Sequence, residues 1–184
     1  TGIITELEKL RQIEGENMIL HIGHVDIYEL AKEVKLIFEN EMSKKNIRCD
    51  IIGEHIDVCV DKDKMSQVLN NLISNAVKYS KDGGSVRIYT LHGKGDIKKN
   101  SKGDSLQLVI EDTGIGINEE DIPRIMERGF TGYNGRLDRK SSGIGLYLCR
   151  KAADRLGFVI TFDASYKNGT RVVIDMTQRY TKHE

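Results

Sequence analysis

The chain has 184 residues, of which 39% are hydrophobic and 30% are charged, and its 28 basic side chains balance its 28 acidic ones. This composition is typical of a water-soluble globular protein, and the zero net charge argues against a protein that binds nucleic acid by broad electrostatic attraction. No apolar run approaches the roughly 18 residues that a membrane span needs, and the first residues do not form a signal peptide.

Hydrophobic spacing predicts a mixture of helices and strands in the first half of the chain. Residues 3–14 carry apolar side chains at helical spacing without a core of their own to cover, so we interpret them as the end of a helix from an upstream domain. The elements predicted after this stretch are a strand at 18–20, a helix over 25–44, strands at 47–52 and 56–60, and a helix over about 62–79.

The second half of the chain combines strands, a long segment punctuated by glycines and one further helix. The predicted elements are a strand at 85–91, a polar hairpin loop over 92–104, a strand at 106–111, a glycine-punctuated segment over 112–142 with a short helix near 119–126, a helix over about 143–156, and strands at 159–164 and 170–176. This order predicts an α+β fold, a two-layer α/β sandwich in which a mixed, mostly antiparallel sheet packs on three long helices.

The cysteines and histidines show neither disulfide nor metal-binding spacing. Cys49, Cys59 and Cys149 are an odd number of thiols without a short paired spacing, which favours a reducing compartment. We expect all three to be buried as small hydrophobic residues. His21 and His24 are expected at the end of a short strand, without a catalytic role.

The helix predicted over 62–79 presents two different faces. At 3.6 residues per turn, four polar side chains fall on one side and five apolar ones on the other. The polar side chains are Asn71, Asn75, Lys78 and Tyr79, and the apolar ones are Met65, Leu69, Leu72, Ile73 and Ala76. The polar face is either a solvated surface or a site for magnesium and phosphate, because an amide oxygen coordinates a hard cation and an ammonium neutralises a phosphate.

Two glycine-containing segments lie at the ends of predicted elements. Residues 112–117, Asp-Thr-Gly-Ile-Gly-Ile, directly follow a strand, and residues 141–147, Ser-Ser-Gly-Ile-Gly-Leu-Tyr, directly precede a helix. Glycines in such places let a ligand approach the backbone closely, and the N-terminus of the following helix favours an anion. Neither segment has the third glycine of the dinucleotide-binding fingerprint, and the phosphate loop of P-loop NTPases is absent.

Four segments together resemble a known family. In chain order they are residues 71–79 (Asn-Leu-Ile-Ser-Asn-Ala-Val-Lys-Tyr), 112–116 (Asp-Thr-Gly-Ile-Gly), 128–132 (Arg-Gly-Phe-Thr-Gly) and 142–146 (Ser-Gly-Ile-Gly-Leu). They resemble the N, first glycine, F and second glycine boxes of the catalytic ATP-binding domain of bacterial sensor histidine kinases, which belong to the GHKL superfamily with its Bergerat-type fold. The resemblance covers residues 17–184, and residues 1–16 are interpreted as the tail of an upstream dimerisation helix and a linker. Residues 129–136 look like Gram-positive kinases that sense antimicrobial peptides.

The resemblance implies that ATP and Mg²⁺ bind between these segments. Asn75 would coordinate magnesium, Asn71 would lie beside it on the phosphate side, and Lys78 would contact phosphate. Tyr79 would line the nucleotide cleft. Asp112 would accept a hydrogen bond from the exocyclic amine of adenine, which selects ATP over GTP. Asn71 and Lys78 are the catalytic residues that the resemblance implies.

The remaining implied contacts come from glycines and from a lid. Gly114 and Gly116 would flank the adenine and form one hinge of the lid, which would span about residues 117–142 and close over the triphosphate. Gly143 and Gly145 would bring backbone N–H groups to the phosphates. The other residues implied to bind ATP are Ile115, Arg128, Gly132, Ser141, Ser142, Ile144, Leu146 and Thr170, the last at the adenine end. The cations that could reach the γ-phosphate are Arg128, Arg136, Arg139 and Lys140.

The resemblance also bears on the reaction. Related GHKL ATPases carry a glutamate that activates water at the position of Asn71, and an amide cannot act as a general base near neutral pH. We therefore expect slow hydrolysis until a nucleophile is supplied, which in this family is a histidine on a separate dimerisation domain. The acceptor motif needs a proline shortly after the histidine, and the only proline is Pro123. The chain is therefore expected to bind ATP without phosphorylating itself.

The expected partners follow from the same resemblance. They are the protein's own dimerisation and phosphoacceptor domain and a response regulator, with no nucleic acid. The parent protein is expected to be a membrane-anchored homodimer with this domain in the cytoplasm, and the fragment to be a monomer. Three alternatives stay open: a GHKL ATPase, a serine kinase of the anti-sigma-factor type, and a non-catalytic nucleotide-sensing module. Asn71 argues against the ATPase, and the intact metal asparagine, lysine and glycine pairs argue against the sensing module.

Overall fold

The computed structural model describes residues 19–93, 105–131 and 143–177. Within these ranges the chain forms seven strands and four α-helices. In chain order they are β1 (Ile22–Asp26), α1 (Ile27–Ile37), α2 (Glu39–Lys44), β2 (Arg48–Ile52), β3 (Asp57–Asp61), α3 (Lys62–Tyr79), β4 (Ser85–Gly93), β5 (Ser105–Asp112), a 3-10 turn (Ile122–Arg124), α4 (Gly145–Leu156), β6 (Val159–Phe162) and β7 (Arg171–Asp175). None of these helices combines the length and the apolar character that crossing a membrane requires.

The strands form a five-stranded sheet and a separate two-stranded ribbon. The order in the sheet is β2-β4-β5-β7-β6, in which β2 runs parallel to β4 and the other neighbours are antiparallel. Strands β1 and β3 pair antiparallel to form the ribbon, with His24 opposite Cys59. The mixed, mostly antiparallel sheet confirms the predicted fold class.

Alternate residues of the sheet face the helices and bury a common core. Ile88 of β4, Leu108 of β5 and Ile174 of β7 are each at most 1% exposed. They belong to one hydrophobic cluster with the buried side chains of α1, α3 and α4. Burying each large apolar side chain contributes roughly 1.5–3 kcal/mol, so the helical layer and the sheet hold each other in place. This is the two-layer sandwich predicted from the sequence.

Helix α3 covers the predicted residues, 62–79. Asp61 begins it, because its carboxylate accepts a hydrogen bond from Lys64 N at 3.1 Å and another from His21 N at 2.8 Å. The apolar face is buried, and none of its residues is more than 3% exposed: Met65, Leu69, Leu72, Ile73 and Ala76. The strong helical period of these side chains explains why the sequence prediction holds here.

The helix predicted over 25–44 is wrong at both its start and its middle. The helix begins at Ile27, because the Asp26 carboxylate caps it by accepting a hydrogen bond from Glu29 N at 3.2 Å. It is interrupted at Phe38, where φ of −102° and ψ of 5° separate α1 from α2. Neither glycine nor proline lies at this break, so no helix-breaking residue in the sequence predicts it.

The strand predicted at 18–20 is displaced along the chain. Ile19 and Leu20 lie outside any strand, and β1 begins at Ile22. The residues that pair with β3 include exposed ones, Ile22 at 48% and His24, so hydrophobicity does not mark the strand. His24 therefore lies in the middle of β1 rather than at a strand end.

Elements near the glycine segments are shorter than predicted. The short helix near 119–126 is a 3-10 turn over Ile122–Arg124 that contains Pro123. The helix expected from residue 143 begins at Gly145, because Gly143 has a left-handed φ of +69°. The last two strands each lose residues at their ends.

Burial of the cysteines is uneven. Cys149 is 1% exposed, whereas Cys49 and Cys59 are half-buried, so the expectation of three buried thiols is wrong for two of them. Cys49 lies on the edge strand β2 and Cys59 on the two-stranded ribbon, and each strand has a neighbour on one side only. None of the three thiols forms a disulfide.

Candidate functional site

The two faces of α3 differ in burial in the way the sequence predicts. Asn71, Asn75 and Tyr79 are half-buried, and Lys78 is exposed. The Lys78 ammonium lies 5.1 Å from the centre of the Tyr79 ring, which is a cation–π distance. Two amides, an ammonium and a phenol thus lie along the side of α3 that the core does not cover.

The polar side of α3 lies against the beginning of α4. A Cβ atom placed on Gly145 would be 3.6 Å from Asn71 Oδ1, so the first turn of α4 lies next to this amide and leaves only the space of a side-chain atom between them. Burial raises the pKa of the nearby Cys149 thiol to about 12, and the Asn71 side chain lowers it by a smaller amount. Cys149 Sγ lies 3.7 Å from the Val68 carbonyl oxygen. The second glycine segment and the asparagine helix therefore meet at Asn71.

Asp112, at the end of β5, is a buried carboxylate held by two backbone amides. It is 5% exposed, and its Oδ1 accepts hydrogen bonds from Gly114 N at 2.8 Å and Thr170 N at 3.1 Å. Burial raises its pKa to about 6, against the smaller opposing effect of the two amides. No residue of the described ranges donates a hydrogen bond to Oδ2.

Close backbone packing joins this carboxylate to the end of α3. The Tyr79 carbonyl accepts a hydrogen bond from Ile115 N at 3.2 Å. A side chain on Gly114 would overlap the same carbonyl oxygen, and one on Gly169 would overlap the Asp112 carbonyl oxygen. Glycine is therefore required sterically at both positions.

The chain before and after the residues 132–142 meets at one point. Gly129 N donates a hydrogen bond to Gly143 O at 3.1 Å. A Cβ on Gly143 would lie 2.6 Å from the Gly129 carbonyl carbon and 2.7 Å from Phe130 O. Arg128 is exposed and Ile144 is half-buried beside this contact. Gly129, which lies within the predicted lid, is thus bonded to Gly143, directly after that lid.

A pocket of about 130 Å³ opens beside Thr170. Ile115, Gly116 and Thr170 line one part of it, and Tyr166 lines another. Lys167, from the turn between β6 and β7, also lines the pocket. It forms an ion pair with Glu119, which follows the first glycine segment. The pocket therefore lies beside Thr170, whose backbone N–H donates a hydrogen bond to the Asp112 carboxylate.

Asp26, Glu29 and His55 form the cluster of metal-ligating groups found among the described residues, with ligand atoms within 4.8 Å of one another. His55 Nδ1 lies 2.5 Å from Asp26 Oδ2, and Asp26 caps α1. Lys32 pairs with Glu29 at 2.8 Å. The two carboxylates are thus already paired with His55 and Lys32, and they lie at the positive end of a helix, which disfavours a cation.

The structure places several of the predicted site residues that it describes next to one another. Asn71 lies beside Gly145, and Asp112 accepts hydrogen bonds from Gly114 N and Thr170 N. Leu146 is half-buried against the core. Predicted residues that lie outside the described ranges are Gly132, Arg136, Arg139, Lys140, Ser141 and Ser142.

Sequence reasoning missed two residues that shape this region, Cys149 and Gly169. Cys149 lies beside Asn71, and Gly169 lets the turn before β7 approach Asp112. The Asn168-Gly169 pair is typical of a hairpin turn, and its close approach to another strand leaves no local signal. For Cys149 no signal exists beyond its place on the buried face of α4.

Comparisons with known proteins agree with this geometry. Residues 60–179 match the family described as histidine kinase-, DNA gyrase B- and HSP90-like ATPase. Sensor protein BceS of Bacillus subtilis is 34% identical over 141 residues, which cover 77% of this chain and 39% of BceS. Sensor protein kinase GraS of Staphylococcus aureus (strain MRSA252) is 35% identical over 169 residues, which cover 89% of this chain and 44% of GraS. This chain therefore spans less than half of either relative.

Solved structures share the fold. The catalytic domain of histidine kinase ThkA superposes with a TM-score of 0.71 at 24% identity, covering 88% of this chain and all of that one. ThkA in complex with the response regulator protein TrrA superposes with a TM-score of 0.71 at 23% identity, covering 97% of this chain and 49% of that one. At these identities the likeness is one of fold alone.

The family match spans well over half of the chain, so the chain belongs to the histidine kinase-, DNA gyrase B- and HSP90-like ATPase family. Within that family it is a catalytic ATP-binding domain of the sensor histidine kinase type, in agreement with the named relatives and with the fold. Both relatives come from Gram-positive bacteria, which agrees with the resemblance of residues 129–136.

Proposed function

We propose that this chain holds Mg-ATP between α3, the loop after β5 and the start of α4. It then donates the γ-phosphoryl group to a histidine on a separate dimerisation domain, for relay to a response regulator. The main support is that α3 lies next to both glycine segments: Asn71 lies beside Gly145, and the Tyr79 carbonyl at the end of the helix accepts a hydrogen bond from Ile115 N. A triphosphate nucleotide has the length to lie along such a face, with its base at one end.

At the base end, Asp112 would recognise adenine. Its Oδ1 is fixed by two amides, so Oδ2 would accept a hydrogen bond from the exocyclic amine. Guanine presents a carbonyl oxygen at that position, which an ionised carboxylate repels. Ile115, 51% exposed, offers an apolar surface to the base, and Thr170 would support the same end.

At the phosphate end, the residues suit a magnesium–triphosphate complex. Asn75 and Asn71 offer amide oxygens on one side of α3, and Mg²⁺ typically takes one or two protein oxygens while phosphates and water complete its shell. When bound, Mg²⁺ would neutralise charge on the phosphates. Lys78 would add a positive charge, and the N-terminus of α4, which has no acidic residue in its first turn, would favour the anion.

The side chains of α3 favour transfer over hydrolysis. Asp63, in the first turn, is the acidic residue of this helix, and the position facing α4 is the Asn71 amide. An amide cannot remove a proton from water near neutral pH. Asn71 and Lys78 would therefore hold the phosphates in place until the imidazole nucleophile arrives, so that positioning and charge neutralisation lower the barrier. An ATPase is the less favoured function for this reason.

The wider arrangement of the protein is part of the same proposal. Residues 17–184 would form the catalytic domain with a lid over about 117–142, and residues 1–16 would lead from the dimerisation domain. A response regulator partner is supported by the complex of ThkA with TrrA. The parent protein would be a membrane-anchored homodimer with this domain in the cytoplasm.

Calorimetric titration with a non-hydrolysable ATP analogue tests the binding site. We expect the chain to bind the analogue more tightly with Mg²⁺ than without it, and Asn75→Ala to remove most of that difference. Asn70→Ala is the matched control, because the Asn70 amide bonds to Ser66 O at 3.0 Å within the same helix. Failure to bind any adenine nucleotide in magnesium, or equal losses in the two variants, would contradict the proposal.

Incubation with γ-labelled ATP tests the reaction. We expect the chain alone to release phosphate slowly and to acquire no acid-labile label, because Asn71 activates no water and no phosphoacceptor motif is present. Rapid steady phosphate release would favour an ATPase instead. Acid-labile phosphate on the chain itself would show that the acceptor assignment is wrong.

A further inference from the structure

Lys45, outside all of the motifs above, reaches the end of α3. It follows α2, and its ammonium donates hydrogen bonds to the carbonyls of Val77, Lys78 and Ser80, each at 2.9 Å. An ammonium has three donors, so these three carbonyls occupy all of them. The backbone carbonyl of Lys45 also accepts a hydrogen bond from Gly83 N at 2.8 Å, which ties the residue to the chain beyond α3.

The end of α3 depends on this lysine because the helix lacks a glycine cap. Ser80, at the C-cap, is extended, with φ of −70° and ψ of 145°. The last carbonyls of a helix need partners from outside it. Ala76 O accepts from the Ser80 amide and hydroxyl, and Tyr79 O accepts from Ile115 N. The Lys45 ammonium donates hydrogen bonds to the carbonyls of Val77, Lys78 and Ser80, and its positive charge is favourable at a helix C-terminus.

We propose that Lys45 is a positioning residue for the nucleotide site, and this inference rests on the function proposed above. It holds the last turn of α3, and that turn carries Lys78 on the phosphate side and Tyr79 in the cleft. The same turn presents the Tyr79 carbonyl to Ile115, so Lys45 also fixes the loop after Asp112. Lys45 acts through these groups and makes no contact with the nucleotide itself.

The test compares nucleotide affinity among three variants under conditions where circular dichroism shows each to be folded. We expect Lys45→Ala and Lys45→Met each to weaken binding of the ATP analogue by about tenfold, the scale of one charge-assisted hydrogen-bond group. Lys44→Ala is the control, since Lys44 is the neighbouring exposed lysine. Affinity equal to wild type in both Lys45 variants, or an equal loss in Lys44→Ala, would overturn the proposal.

Chemical rescue separates positioning from general stability. Propylammonium supplies the atoms that Lys45→Ala removes, so we expect it to restore affinity in that variant. It should not do so in Lys45→Met, whose side chain fills the path to the carbonyls. Rescue of both variants, or of neither, would contradict the assignment. If the wild-type chain itself bound no nucleotide, the proposed function would fail. Thermal stability would then test the role of Lys45 separately, because removing a lysine that caps α3 must still lower the melting temperature of both Lys45 variants.

Discussion

The Asp112 carboxyl group titrates differently in the folded and unfolded chain. Burial raises its pKa to about 6 from the ordinary 3.8. Between pH about 4 and about 6 the folded protein therefore holds more protons than the unfolded chain, and its stability falls as the pH rises through that window. Above pH about 6 the buried carboxylate lowers the free energy of unfolding by about 3 kcal/mol, at 1.36 kcal/mol per pKa unit.

We therefore expect Asp112→Asn to have opposite effects on stability and on binding. Near pH 7.5 the variant should melt at a higher temperature than wild type, because it carries no buried charge. Its affinity for ATP should fall by a few kcal/mol at most, the scale of one hydrogen bond to a charged acceptor. Thermal melts and calorimetry measure the two effects. Unchanged ATP affinity would count against the adenine contact, and a lower melting temperature would count against the cost of the charge.

Gly169 is the glycine whose replacement we expect to be most damaging. A side chain there would overlap the Asp112 carbonyl oxygen and would lie 2.8 Å from Gly114 N. Gly169→Ala should lower the free energy of unfolding by about 3 kcal/mol, because backbone atoms must shift to make room. Gly23→Ala is the control, since a Cβ at Gly23 meets no atom within 4 Å. Urea denaturation that gave equal values for both variants would disprove the steric argument.

At the scale of single residues, the sequence predicts what local spacing determines. Asn71 and Asn75 share a helical face because they are four residues apart, and that face is found. The contact of Thr170 with Asp112 spans 58 residues, and Lys45 lies more than 30 residues from the carbonyls it holds. Spacing carries no information about such pairs, so only the folded chain reveals them.

At the scale of elements, an ion-pair network ties three strands together behind Asp112. The Glu111 side chain is 6% exposed and accepts hydrogen bonds from Arg171 Nε at 2.7 Å, Arg87 at 3.1 Å and Tyr89 OH at 3.0 Å. Arg87, Glu111 and Arg171 are register partners on β4, β5 and β7. The network therefore stabilises the last register position, next to Asp112, at which β4, β5 and β7 are all paired.

Removing the cation closest to Glu111 should loosen this rung. We expect Arg171→Met to lower the free energy of unfolding by about 2–3 kcal/mol, because it leaves a buried carboxylate with fewer partners. Arg87→Met should cost less, since the Arg87 side chain is 53% exposed and solvent screens its charge. Urea denaturation of both variants checks the ranking, and an equal or reversed ranking would contradict it.

Hydrophobic period and capping together made the boundaries of α3 predictable, although the start of α1, which also has a cap, was placed two residues too early. Helix α3 has both, with Asp61 as its cap and a buried stripe along its length. The break at Phe38 and the start of β1 have neither signal, because Phe38 makes no side-chain cap hydrogen bond and β1 begins with exposed residues. Tertiary packing, which the local sequence does not encode, decides these positions.

At the scale of the whole molecule, the two-layer class follows from the order of elements, but the strand order does not. β2 lies beside β4 in parallel, while β3, the next strand after β2, leaves the sheet to pair with β1. Several strand orders would bury the same apolar residues equally well, so the pattern alone cannot choose among them. The convergence of the motif segments depends on this topology.

The titration of Asp112 has a consequence for how ligand binding would be observed. A hydrogen bond from adenine favours the ionised carboxylate, so filling the cleft would expel the proton that the empty protein retains. Near pH 6 about half of the molecules would release one proton on binding, and the measured heat would differ between buffers with different ionisation enthalpies. Acidification would thus compete with the nucleotide for the same carboxylate.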